Sequence, residues 1–161
     1  MSGTSGKNST MGFGCARNVR SGDDMSERRW VRFIIKGEFP SLNEYILAER
    51  GSGGKYRANH MKQYAQQSIK WQIKAQMKNI KYNFLPDFPV DVHCVWYCKD
   101  KRKDPDNIRA IGTKFLLDSF VDCGVLVNDG WGQITSFKDT FFVDKDNPRV
   151  EITLMESEYN E

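Results

Sequence analysis

Between Arg50 and Pro86 the chain has no aspartate and no glutamate. The same stretch holds Arg50, Lys55, Arg57, Lys62, Lys70, Lys74, Lys78 and Lys81, so a long piece of the sequence carries charge of one sign. Other absences narrow the class. No apolar run approaches the ~18 residues of a membrane-spanning helix. The N-terminal residues also lack the apolar stretch of a signal peptide. Together these predict an intracellular, cytoplasmic protein with no membrane partner. Gly51-Ser52-Gly53-Gly54 lacks the Gly-Lys-Ser/Thr ending of a phosphate-binding P-loop, and the sequence has no internal repeat. Cys15, Cys94, Cys98 and Cys123 follow no disulfide-scaffold or zinc-ribbon spacing, which predicts free thiols. His93 beside Cys94 and Cys98 invites zinc. On an extended strand, however, those two cysteines lie roughly 13 Å apart, too far to share one ion.

What the chain has is enough for one domain. It has 161 residues, 39% of them hydrophobic, 28% charged and 12% aromatic, the composition of a globular protein with a real core. The net charge of +3 hides an uneven distribution. Beside the acid-free stretch, Lys99, Lys101, Arg102 and Lys103 form a second basic cluster, whereas the last twenty residues are mainly acidic. Concentrated positive charge is what a phosphate backbone selects, although lysines on a solvated helix face give the same pattern.

Residues 1–28 are rich in Gly, Ser, Thr, Asn and Arg and have no hydrophobic period, which predicts a disordered leader. Met11 and Met25 are plausible alternative starts within it. Residues 29–156 are expected to form the domain, and 157–161 an acidic tail. Trp30 to Gly37 alternates as a strand, and Phe39 to Tyr45 reads as a break and turn. Gly51 to Gly54 reads as a mobile basic loop. Met61, Ala65, Ile69, Ile73 and Met77 recur every four residues, predicting an amphipathic helix over about 59–79. Val90 to Cys98 alternates as a central strand. A second helix follows, capped by Asp106 or Asn107 and ended at Gly124. Trp131 to Val143 and the stretch around Val150, Ile152 and Leu154 read as the last strands. The order strand, helix, strand, helix, strand, strand predicts a small α/β (α+β) domain, a mixed sheet with two main helices packed on it.

The chemistry-bearing residues fall around the second helix. Asp104 and Asp106 point the same way if their stretch is extended. They can then chelate one hard cation with a third carboxylate, Asp129, brought in from the Asn128-Asp129-Gly130 turn. Lys114 and Asp118 project from the same helix face as Asn107, with the Lys114 ammonium expected to point back toward Asp104 and Asp106. A magnesium ion polarising a phosphate, beside a lysine that offsets growing negative charge, is a sensible arrangement for phosphodiester hydrolysis. Singly, each piece has a plain structural role: a helix start, a turn, a surface ion pair.

Jointly, Lys103-Asp104-Pro105-Asp106-Asn107, then Lys114 and Asp118, then Cys123-Gly124-Val125-Leu126-Val127-Asn128-Asp129, resemble the signature of the RusA-type Holliday-junction resolvases, found mostly in phages and prophages. Pro40-Ser41-Leu42-Asn43-Glu44-Tyr45 is similar to that family's Pro-Ser-x-Asn turn, and Arg149 to Thr153 to its closing strand; the resemblance spans about Trp30 to Leu154. It implies a homodimeric endonuclease that nicks four-way DNA junctions symmetrically in a bacterial host cell. Mg²⁺ would be its cofactor, with Mn²⁺ able to substitute and no organic cofactor. The implied metal-binding and catalytic aspartates are Asp104, Asp106 and Asp129, the catalytic lysine is Lys114, and Asn107 contacts DNA. Lys55, Arg57, Lys101, Arg102, Lys103 and Arg109 are expected to hold phosphates. Asp118 and Asn128 are expected to stand behind the ligands. The chain departs from the family prototype in a longer Asp106-to-Lys114 spacing and in Asn128, where the prototype has an acid. Those departures motivate two alternatives, a branched-DNA-binding protein without turnover and a general nuclease of flaps or single strands.

Overall fold

The structure, a computed structural model, describes residues 28–80 and 88–158. Its elements run β1 (Trp30–Lys36), α1 (Leu42–Arg50), α2 (Gly54–Met77), β2 (Val90–Cys98), α3 (Pro105–Asp122), β3 (Ile134–Val143) and β4 (Arg149–Glu156). The expectations for residues 1–27 of the leader, for Cys15 and Lys81, and for residues 159–161 of the acidic tail lie outside the described residues. Arg28, by contrast, is held to the domain, its Nε donating to the Glu156 carbonyl at 2.7 Å. The sheet order is β1-β4-β2-β3, with β4 antiparallel to both β1 and β2 and β3 parallel to β2. A parallel pair needs a crossover, and α3 supplies it. The domain is therefore the expected mixed sheet with helices on it.

Alternation sets which face is buried. Val90, Val92, Cys94 and Trp96 of β2 and Val31, Phe33 and Ile35 of β1 point into one core. Ile69 and Ile73 of α2 and Ile108, Ile111, Phe115, Leu116 and Phe120 of α3 cover it. Gln76 of α2 reaches the sheet edge, accepting from the Ile34 backbone N–H at 2.9 Å and donating to the Ile34 carbonyl at 2.7 Å. A buried amide thus satisfies the unpaired side of β1.

Three helices form where two were expected. The missed one, α1, begins where the sequence reading placed a turn. Ser41 is its N-cap: the Ser41 hydroxyl accepts from the Glu44 N–H at 3.2 Å, while the Glu44 carboxylate accepts from the Ser41 N–H at 2.7 Å. This reciprocal box follows from Ser-x-x-Glu spacing and satisfies two donors that the first helical turn leaves open. Glu44 also pairs with Lys103 at 3.0 Å. Burial raises its pKa, but the Ser41 and Lys103 contacts outweigh that and hold it below its ordinary value. Ser41→Ala is expected to cost about 1 kcal/mol, read as a shift in the urea midpoint.

The glycine stretch turns a tight corner between α1 and α2, and α2 starts at Gly54, earlier than periodicity suggested. A Cβ on Gly54 would lie 1.7 Å from the Glu49 carbonyl oxygen, so only glycine lets α1 and α2 meet this closely. The cap of α3 also differs from expectation. Asp104 is the N-cap with Pro105 at the first position, where a missing N–H costs nothing, and the Asp104 side chain makes no capping bond. At the other end Gly124 adopts φ 72°, reversing the chain after the Cys123 cap as expected. β3 begins at Ile134, since residues 131–133 belong to a turn in which Gln133 and Ile134 N–H both donate to the Gly130 carbonyl. Among the described residues no helix is long and apolar enough to cross a membrane.

Candidate active site

The loop after α3 is what brings distant residues together. Past Gly124, the Val125 and Leu126 N–H groups donate to the Phe120 carbonyl at 2.8 and 3.3 Å, and both side chains are buried. The chain therefore turns back along α3 and carries Asp129 to the middle of the helix. There Lys114 Nζ donates to Asp118 Oδ1 at 2.7 Å and to Asp129 Oδ2 at 3.3 Å. The Asn128 side chain accepts from the Gly130 N–H at 2.9 Å, which shapes this turn rather than entering the cluster.

From the other side α2 contributes two residues that sequence reasoning did not place here. Lys62 Nζ lies 3.3 Å from Asp118 Oδ2, and Gln66 Nε2 donates to the same oxygen at 3.1 Å. Lys62 was visible only as one lysine among many, because no spacing rule links it to a carboxylate fifty-six residues away. The cluster holds two ammonium groups and two carboxylates. The hydrogen bonds that Lys114 donates to Asp118 and then to Asp129 raise its pKa, so the lysine is a fixed cation at neutral pH. Burial alone would raise the Asp118 pKa, but Lys114 and Lys62 together lower it.

A depressed carboxylate pKa contributes stability above the unfolded value of about 4 and loses it as pH falls through the lowered folded value. Asp118→Asn is accordingly expected to cost stability at neutral pH and nothing in strong acid. Urea melts of both proteins at the two pH values check this.

Asp104 and Asp106 stand apart from that cluster. Both are exposed at the first turn of α3, and neither carboxylate has a hydrogen bond or ion pair among the described residues. Eight residues of helix separate Asp106 from Lys114, about 12 Å of rise. The Lys114 ammonium therefore goes to Asp118 and Asp129, not back to the helix start. Among the described residues no group of three or more acidic, histidine or cysteine side chains is gathered, so Asp104, Asp106 and Asp129 do not form one three-carboxylate cluster.

Asp104 is extended, but Pro105 and Asp106 already belong to α3, so the two carboxylates lack the common direction that an extended stretch would give them. Only the chemistry of the donors, two carboxylates, suits a hard, largely hydrated cation. Mg²⁺ commonly keeps several waters and takes one or two carboxylates, and Asp104 and Asp106 offer uncommitted oxygens two residues apart. The α3 N-terminus opposes a cation with only about half a positive charge, against two full negative ones.

No protein-family profile matches the chain, and no curated protein matches it.

The remaining basic residues divide into bound and free. Arg109 Nε pairs with Asp139 at 2.6 Å, the same carboxylate that accepts from the buried Trp96 indole at 2.7 Å, so this exposed arginine ties α3 to β3. Arg102 is held by Asp100 at 2.6 Å, and Lys103 by Glu44 and the Phe39 carbonyl. Lys55, Arg57 and Lys101 are exposed and without an ion-pair partner among the described residues. Asn107 is half-buried on the first turn of α3. Cys98, Lys103, Asp104, Pro105 and Phe142 line an open groove of about 500 Å³ beside Asp104. Cys94, Cys98 and Cys123 are free thiols.

Proposed function

We propose that the protein is a divalent-metal-dependent endonuclease of branched DNA, acting on four-way junctions as a homodimer. The observation that carries this reading is the uncommitted Asp104–Asp106 pair opening the same helix that presents Lys114. It is supported by the acid-free α2 beside that helix and by the resemblance of the joined motifs to the junction resolvases.

The residues divide the work. Asp104 and Asp106 would hold Mg²⁺ or Mn²⁺, which when bound supplies charge on a phosphate oxygen and a more acidic water. Lys114 has three N–H donors, of which Asp118 and Asp129 take two, leaving one for a phosphate oxygen. Asp118 and Asp129 keep the lysine charged and fixed about 12 Å along α3 from Asp106, so it would hold a neighbouring backbone phosphate of the same DNA rather than the one at the metal. Lys62 adds a second cation at the same place. Lys55, Arg57 and Lys101 are free to take backbone phosphates, contacts that position DNA without reading its sequence.

The scattered carboxylates favour a second reading, a branched-DNA-binding protein without turnover. Labelled four-way junction, flap, single strand and linear duplex, each incubated with the protein in Mg²⁺ and in chelator, separate the two. The endonuclease is expected to cut the junction first and only with metal. Junction binding that is equal in metal and chelator, with no product, supports the second reading. Preferred cutting of the flap or single strand means a general nuclease instead.

A further inference from the structure

Three large rings stand in solvent along the outer side of α2: Tyr56 is 77% exposed, Tyr64 74% and Trp71 76%. Helical periodicity places them on one stripe, with His60 between the tyrosines, opposite the buried side made by Ala58, Ile69, Ile73 and Gln76. The Tyr56 and His60 rings lie 6.5 Å apart, tilted by 31°. Scattered exposed apolar residues need no explanation, but rings aligned on one face mark an interaction surface.

The flanking charge says what that surface accepts. α2 contains no acidic residue, and Arg57 and Lys74 fall on or beside the stripe, with Lys78 just past the end of the helix. Between α2 and the end of β1 a groove of about 580 Å³ opens, with Phe39, Pro40, His60, Met61 and Tyr64 among its walls. That volume lies within the range of pockets that enclose small planar ligands. A polyanion whose uncharged parts are flat rings matches both features.

We propose that this face of α2 is a stacking platform for unpaired bases of single-stranded DNA, a site separate from the Lys114 cluster. The proposal rests on the reading that DNA is the substrate. Aromatic rings inside a basic surface bind single strands without sequence preference, because every base has a face to stack. Tyr56, His60 and Tyr64 follow one another at about 6 Å along the axis and Trp71 stands about 10.5 Å beyond Tyr64, both wider than the ~3.4 Å rise of stacked duplex DNA. The ladder therefore suits a strand drawn out of its stack, as near a branch point, and not an intact arm.

The test is fluorescence anisotropy in chelator with labelled oligo-dT of about 20 nucleotides, longer than one typical single-strand site, and with a fully paired four-way junction. The Tyr64→Ala/Trp71→Ala double variant is expected to bind oligo-dT about 100-fold more weakly, about tenfold per ring, and the junction within about twofold of wild type. Tyr64→Phe/Trp71→Phe keeps the rings and is expected to recover most of the oligo-dT affinity. No oligo-dT binding by wild type, no loss in the alanine variant, or equal loss on both DNAs would overturn the proposal. So would a change of the variant's mass in size-exclusion light scattering, which would make the face a contact between copies. Ring-dependent oligo-dT binding by a protein that cuts nothing would leave this inference standing and remove the endonuclease. Metal-dependent junction cutting with ring-independent oligo-dT binding would do the reverse.

Discussion

Asp106→Asn is expected to slow junction cleavage by about 10³-fold, the equivalent of several kcal/mol of lost metal-assisted stabilisation. Junction affinity in chelator is expected to stay within about twofold of wild type. The substitution preserves shape and removes one negative charge from the two that face solvent at the start of α3. Because the Asp106 carboxylate has no partner among the described residues, folding loses only its favourable position near the helix N-terminus, about 0.3–1 kcal/mol. Activity and stability therefore separate cleanly at this residue. Single-turnover cleavage with saturating protein, beside a urea melt, measures both. A variant that cuts at the wild-type rate removes Asp106 from the site.

Phe120→Ala is expected to destabilise the domain by about 3–5 kcal/mol. Phe120 is fully buried, and its ring lies 5.1 Å from that of Phe33 on β1. It joins α3 to the sheet at the point where the following loop folds back over the helix end. The alanine leaves a cavity that α3 and β1 cannot both close, since each is fixed elsewhere in the core. Domains of this size have about 5–15 kcal/mol in total, so the variant would stand near the edge of folding. Because Val125 and Leu126 pack in the same region, the placement of Asp129 should loosen with it. Chemical denaturation measures the first effect. A loss below about 1 kcal/mol would mean that Phe120 does not pack on Phe33 in the core.

The periodic parts of this fold were legible from residues alone. β2 alternates because one of its faces is covered, and α2 repeats every four residues because one stripe meets the sheet. α1 was missed although Ser41 and Glu44 carry a capping-box spacing, since Phe39 to Tyr45, with Pro40 in it, read as a break and turn. The glycines at 51–54 looked mobile for the reason that glycine usually is. The close approach of Gly54 to the Glu49 carbonyl, which makes the stretch a corner between two helices, has no signal in the sequence.

The candidate site divides the same way. Lys114 with Asp118 is a helix-spacing pair that sequence gives directly, and the turn at Asn128 to Gly130 was expected. That Asp129 docks on Lys114 rather than on Asp104 and Asp106 depends on where the loop after Gly124 reattaches, at the Phe120 carbonyl. Lys62 and Gln66 reach Asp118 only because α2 and α3 pack side by side, a tertiary relation with no local signal. Arg109 illustrates the converse: a basic residue near the motif is held by Asp139 of β3.

The most direct test of the endonuclease reading is a four-way junction labelled in turn on each of its strands, incubated with the protein in Mg²⁺, in Mn²⁺ and in chelator. Paired nicks at symmetric positions in two opposed strands, present with either metal and absent in chelator, are the expected result. Tight junction binding with no product in either metal would contradict it, and would leave Asp104 and Asp106 as surface residues of a DNA-binding domain.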